Sequence, residues 1–88
     1  MIQPEVTIYS SDLCGYCRSA KALLRSKQVE FSEIKVDGRF DLRQEMVQRT
    51  GGHTVPQIII NGQVIGGCDD LYALENSRKL GQLLHSSD

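Results

Sequence analysis

Cys14 and Cys17, in the stretch SDLCGYCRSAK (Ser11 to Lys21), are the residues of this chain whose type and spacing best suit chemistry. A C-x-x-C pair can be half of a metal site, a structural disulfide or a redox couple. Metal binding is poorly served. The soft ligands are Cys14, Cys17, Cys68, His53 and His85, and only the first two have metal-like spacing, whereas structural zinc needs a full tetrahedral set. A disulfide framework fits little better, because 3 cysteines make an odd count and small secreted domains usually carry more. A lone C-x-x-C beside a strand-helix-strand pattern points first to redox chemistry.

The two thiols are not equivalent. The pattern places Cys14 in the loop that enters a helix and Cys17 about one turn inside it. Helical residues at this spacing have Cβ atoms ~5–6 Å apart, and a disulfide needs ~3.5–4.5 Å, so a small movement of the loop residue closes the pair. Cys14 faces the free N–H groups and positive end of the helix, which favour a thiolate. Cys17 lies further in and is expected to be more buried. Cys14 is therefore read as the nucleophile and Cys17 as the resolving thiol.

The elements that must position this pair follow from periodicity. Glu5 to Tyr9 alternates, with Val6 and Ile8 on one face, and reads as a strand. From Tyr16 the apolar residues Ala20, Leu23 and Leu24 fall at helical spacing. Val29 to Val36 reads as a second strand whose apolar phase slips between Phe31 and Ile34, which suggests a bend or bulge. A helix between two such strands is a crossover, which requires parallel pairing. Asp37-Gly38 breaks the second strand. Asp41 followed by Gln44 resembles a capping box for a helix carrying Leu42, Met46 and Val47 and stopping near Gly51-Gly52. Asn61-Gly62 suits a type I′ turn between Ile58–Ile60 and Val64–Ile65. A third helix begins in CDDLYALE with Asp69 or Asp70 as its cap, and Ser77 is placed to cap a short fourth one with Leu80, Leu83 and Leu84. The order is β-α-β-α-β-β-α-α: an α/β fold with a mixed four-stranded sheet flanked by helices.

Composition narrows the function classes. The 88 residues suffice for one modest core, so a single domain over 1–88 is expected. A net charge of -1 with dispersed Lys and Arg argues against a nucleic-acid partner. No apolar run approaches the ~20 residues of a membrane span, and the N-terminal stretch has no signal-peptide pattern, so no membrane partner and a cytoplasmic location are expected.

With those elements in place, three motifs in order carry a family resemblance: CGYC at the first helix, Thr54-Val55-Pro56 before the hairpin, and Gly66 to Leu74 (GGCDDLYAL) after it. Together they resemble a glutaredoxin, and most closely the short bacterial dithiol glutaredoxins, over about Glu5 to Leu84. The resemblance implies the thioredoxin fold and a glutathione-dependent thiol–disulfide oxidoreductase in cell redox homeostasis. It also implies glutathione and glutathionylated or disulfide-containing proteins as partners, reduction of glutathione by an NADPH-dependent reductase, and a monomer.

It further implies a glutathione groove. Val55 would offer its backbone to the ligand's cysteine residue, next to a cis peptide at Pro56, with Thr54 alongside. The N-terminus of the helix at Cys68, Asp69 and Asp70, after Gly67, would receive the γ-glutamyl carboxylate, and Asp69 or Asp70 would pair with the neighbouring amine. Cys68 is expected to be a buried, inert part of the wall. Arg43 occupies the position where relatives face the glycyl carboxylate, and Tyr16 would line the groove beside the cysteines. His53 is read as an exposed histidine and His85 as part of the tail.

Two departures from the family pattern are visible. Ser11 stands where many relatives carry Lys or Arg, so weaker support for the Cys14 thiolate is expected unless Arg18 or another cation compensates. Gly15 stands where the common dithiol motif has proline. Some relatives with glycine there hold a [2Fe–2S] cluster between two protomers through the nucleophilic cysteine and glutathione, which makes Cys14 a cluster ligand in an alternative reading. A zinc module is a third reading, which predicts bound metal and loss of folding with chelator.

Overall fold

The computed structural model describes residues 3–85, and the remaining ends of the expected 1–88 domain lie outside that range. Its elements are β1 (Val6–Ser10), α1 (Gly15–Ser26), β2 (Ser32–Lys35), α2 (Phe40–Thr50), β3 (Gln57–Ile60), β4 (Gln63–Gly66), α3 (Cys68–Asn76) and α4 (Leu80–Leu84). The sheet runs β2-β1-β3-β4, with β1 and β2 parallel and both other pairs antiparallel. This is a mixed four-stranded sheet, as the element order predicts, in the thioredoxin-type arrangement that the family resemblance implies.

Alternation along the two central strands divides the core between the sheet's faces. Val6 and Ile8 of β1 and Ile58 and Ile60 of β3 point to one face, where Ala20, Leu23 and Leu24 of α1, Leu71 of α3 and Leu80 and Leu84 of α4 cover them. Tyr9 and Ile59 point to the other, where Val36, just past β2, and Met46 of α2 meet them. Every residue of β3 is buried, as a central strand covered on both faces requires. On area grounds each fully buried Leu or Ile contributes about 1.5–3 kcal/mol against its exposed state.

Asn61-Gly62 forms the expected turn, with φ of 50° and 81°, the positive values that a type I′ turn needs. Asn61 does more than turn the chain. Its Oδ1 accepts the Glu5 N–H at 2.8 Å and its Nδ2 donates to the Leu83 carbonyl at 3.1 Å, tying the hairpin to both ends of the fold.

Four local expectations are corrected. β2 begins at Ser32 rather than Val29, because Val29 is drawn into the α1 core cluster before pairing starts. The bulge lies in β4, not near Phe31: Ile58 pairs with Gly66 and Ile59 with Val64, leaving Ile65 as the extra residue. α2 starts at Phe40 after an N-cap at Arg39, so Asp41 sits inside the first turn, where it suits the helix dipole, and the Asp41–Gln44 box is absent. Ser77 closes α3, its hydroxyl donating to the Leu74 carbonyl at 3.2 Å, and Lys79 precedes α4.

Candidate active site

Cys14 is the N-cap of α1. Its backbone is extended (φ -116°, ψ 109°), and its Sγ accepts the Cys17 N–H at 3.1 Å. The sulfur thus takes the position usually filled by a Ser, Thr or Asp oxygen, at the positive end of the helix dipole. No acidic residue occupies the first turn to offset that end. The inequality of the pair is borne out in burial: Cys14 is partly exposed, and Cys17 is fully buried. Burial first, and the neighbouring Cys14 second, push the Cys17 thiol up to about 12.

The loop before Cys14 is anchored by contacts that sequence reading did not anticipate. The Ser11 hydroxyl donates to Asp37, and the Asp12 N–H donates to the same carboxylate at 2.8 Å. These two bonds hold the Asp37 carboxyl below the usual aspartate range. At Ser11 this chain therefore builds a hydroxyl–carboxylate tether. Nearby lysines are committed elsewhere, Lys35 to Asp12 at 2.7 Å and Lys21 to Glu33 at 2.8 Å.

Across from α1, the Val55–Pro56 peptide is cis, and Cys14 Sγ lies 3.8 Å from the Val55 carbonyl oxygen, to which its thiol points. Behind this contact opens a cleft of about 420 Å³. It brings together Tyr16, Thr54, Val55, Pro56, Gly67, Cys68, Asp69 and Asp70, with Cys14 and Cys17 outside its lining and Cys14 at its edge. Tyr16 is 67% exposed, so its ring is a free wall rather than a core group. Burial raises the Cys68 thiol, with the Asp69 charge adding to it, in keeping with an inert groove residue.

The N-cap of α3 is Gly67, and neither Asp69 nor Asp70 fills that position. Asp70 sits at N3 and accepts the Gly67 N–H at 3.0 Å through Oδ2. Gly66, at φ 112°, lies against the same carboxylate, so a Cβ there would overlap it.

Arg43 is not brought into this cleft. It is exposed on α2 and lines a neighbouring cavity of about 410 Å³ with Phe40, Met46, Val47 and His53. Its charge acts on Asp37. The cleft also has walls that sequence reading missed: Thr50, Gly51, Gly52 and Gln57. Gly51-Gly52 carried a signal only as a helix stop, and Gly51 does end α2 at φ 78°.

The alternative readings can be tested on the donor set. Among the described residues, no three His, Cys, Asp or Glu side chains come together as a metal site. A zinc module finds no ligand group among them, whereas a [2Fe–2S] cluster shared between two protomers would ask only Cys14 of each chain, with glutathione completing the set. Nor is any described helix long and apolar enough to cross a membrane.

Comparison with known proteins agrees with this geometry. A family profile described as Glutaredoxin matches residues 6–65. Glutaredoxin 3 of Escherichia coli K12 is 54% identical over 79 residues, covering 90% of this chain and 95% of its own. A glutaredoxin of Pseudomonas aeruginosa is 51% identical, covering 92% and 96%. Among solved structures, the solution structure of glutaredoxin from Brucella melitensis superposes with a TM-score of 0.84 at 48% identity, covering 98% of this chain and 94% of that one. A buckwheat glutaredoxin–glutathione complex superposes with a TM-score of 0.85 at 30% identity, covering 93% and 77%. A capped cysteine pair, a facing Val–Pro peptide, the sheet order and these relatives converge: the chain belongs to the glutaredoxin family of thiol oxidoreductases, built on the thioredoxin fold.

Proposed function

We propose that this protein is a glutathione-dependent oxidoreductase that reduces glutathione mixed disulfides and protein disulfides through Cys14 and Cys17. The observation that carries the reading is the position of Cys14: a capping sulfur at a helix N-terminus, against the Val55 backbone and at the edge of a cleft sized for a tripeptide. The buckwheat relative captured with glutathione supports the same ligand class.

In this reading the Cys14 thiolate attacks the glutathione sulfur of a mixed disulfide. One S–S bond forms, the old one breaks, and the departing substrate thiolate takes up a proton. A second glutathione thiolate then attacks the bound glutathione sulfur, releasing glutathione disulfide and restoring Cys14. With a protein disulfide, Cys17 attacks the Cys14 sulfur instead, leaving a Cys14–Cys17 disulfide and a reduced substrate. In the second route the Cys14–Cys17 dithiol supplies the electrons, and two glutathione molecules then reduce its disulfide and leave as glutathione disulfide.

The groove residues divide the ligand between them. Thr54, Val55 and Pro56 offer backbone to its central residue, in the manner of an added strand, with Tyr16 and Cys68 as walls. The first free N–H groups of α3, beside Gly67, receive the γ-glutamyl carboxylate. Asp70 is already engaged with the Gly67 N–H, which leaves exposed Asp69 as the partner for the ligand's amine. The Arg43 side chain makes no hydrogen bond or ion pair among the described residues, so from the neighbouring cavity its guanidinium is available to a glycyl carboxylate that reaches past the cleft.

A hydroxyethyl-disulfide assay coupled to glutathione reductase tests the scheme. Cys14→Ser abolishes turnover. Cys17→Ser keeps deglutathionylation and loses reduction of protein disulfides. Equal loss of both activities in the Cys17 variant would refute the division of roles.

A further inference from the structure

Beneath the redox pair lies a charged cluster to which the scheme above gives no task. Lys21 follows Cys17 by one helical turn on α1, at the i, i+4 spacing that puts two side chains on one face with Cβ atoms ~5–6 Å apart. Its side chain is only 14% exposed, and the ammonium donates to Glu33 Oε2 at 2.8 Å. Glu33, on the neighbouring strand β2, also accepts the hydroxyl of fully buried Ser10 at 2.5 Å. Two elements and a buried hydroxyl thus hold one lysine in place, where a surface lysine would ordinarily wander.

Cys17 has the opposite difficulty. It is buried and protonated at neutral pH, yet it must attack as a thiolate to release a protein substrate. The groups acting on its sulfur are Cys14 and Lys21 from α1 and a backbone hydrogen bond from Ser11, with Glu33 reaching it through Lys21. Of these, only Lys21 is a cation. Once Cys14 is joined to substrate its own negative charge is gone, and the lysine remains as the charge that favours a second thiolate.

We propose that Lys21, held by Glu33 and Ser10, is the positioning cation for the resolving step. It stabilises the Cys17 thiolate as the S–H proton is lost. Cys17 then bonds to Cys14 Sγ, the Cys14–substrate S–S bond breaks, and the substrate sulfur leaves as a thiolate that accepts a proton. No other reductant is consumed, because in this exchange the Cys17 sulfur rises to the disulfide level as the substrate sulfur falls to thiolate. Lys21 touches no substrate and acts only through Cys17. The inference rests on the assignment of Cys17 as resolving thiol.

Single turnover with one equivalent of 2,2′-dithiodipyridine separates the steps without glutathione. Attack by Cys14 releases one thiopyridone, and closure by Cys17 releases the second. Lys21→Met is expected to leave the first phase within about twofold and to slow the second about tenfold at low salt. The pH dependence of the second phase should move upward, and Lys21→Arg should restore it. Equal slowing of both phases, an unchanged second phase, or failure of Arg to rescue would overturn the proposal, as would a wild type that releases only one thiopyridone. Loss of glutathione turnover with the second phase still sensitive to Lys21 would refute the proposed function alone.

Discussion

The sulfur of Cys14 replaces the oxygen that caps most helices, and this substitution separates two thiols only a turn apart. Cys14 receives an N–H at 3.1 Å and remains reachable from the cleft edge, while its partner is fully enclosed. Burial, reinforced by Cys14, lifts Cys17 from 9.0 to about 12, so the folded chain keeps a proton that the unfolded chain gives up. The sign follows directly: this contribution to stability is intact below about pH 9 and is lost as pH rises toward 12. Iodoacetamide at neutral pH should therefore label Cys14 and spare Cys17 and Cys68, with all three labelled in denaturant. Peptide mass mapping reads the outcome, and comparable labelling of Cys14 and Cys17 in the folded protein would contradict the assignment.

Two glycines set the elements that frame the site. Gly15 is the first helical residue of α1 and not part of a loose loop, and a Cβ there meets nothing within 4 Å. Its N–H is one that a helix start leaves unpaired in any case, and Cys14 already has the extended backbone that a following proline demands. Gly15→Pro is thus expected to stabilise the fold by about 0.4–1 kcal/mol, measured by urea unfolding; a loss of stability would show that the first turn is not held as described. Gly66 is the reverse case. Its φ of 112° and its contact with Asp70 leave no room for a side chain. Gly66→Ala should cost on the order of 1–3 kcal/mol and weaken glutathione binding by displacing the Asp70 cap. Calorimetric titration with a glutathione analogue checks the second part.

At the scale of the whole molecule, the Lys21–Glu33–Ser10 cluster and the two apolar clusters hold the layers in register. The hydrogen bond from Lys21 and then that from Ser10 hold the Glu33 carboxyl below the ordinary glutamate range. Its contribution is full above the unfolded glutamate value of about 4.3 and is lost as pH falls through the lower folded value. Glu33→Gln should flatten the acid limb of a stability–pH curve there, measured by denaturant midpoints; an unchanged limb would assign acid lability to other carboxylates. Leu24 and Met46 anchor opposite faces of the sheet. Either residue changed to Ala should cost about 2–5 kcal/mol, and Leu24→Ala bears on α1 and hence on the Cys14 cap.

What the amino-acid sequence determined by itself was whatever obeys short-range rules. The helix after Cys14, the strand alternation of Val6 and Ile8, and the Asn61-Gly62 turn each depend on neighbours a few residues away, and each was legible. The capping residues of α2, α3 and α4 were misplaced because several polar residues stood close together and local chemistry did not choose among them. Only the tertiary structure decided the approach of Cys14 to Val55, the tether from Ser11 to Asp37, the Lys21–Glu33 pair and the separation of Arg43 from the cleft. These contacts join residues that the order β2-β1-β3-β4 brings together through space, and no spacing along the chain encodes that order.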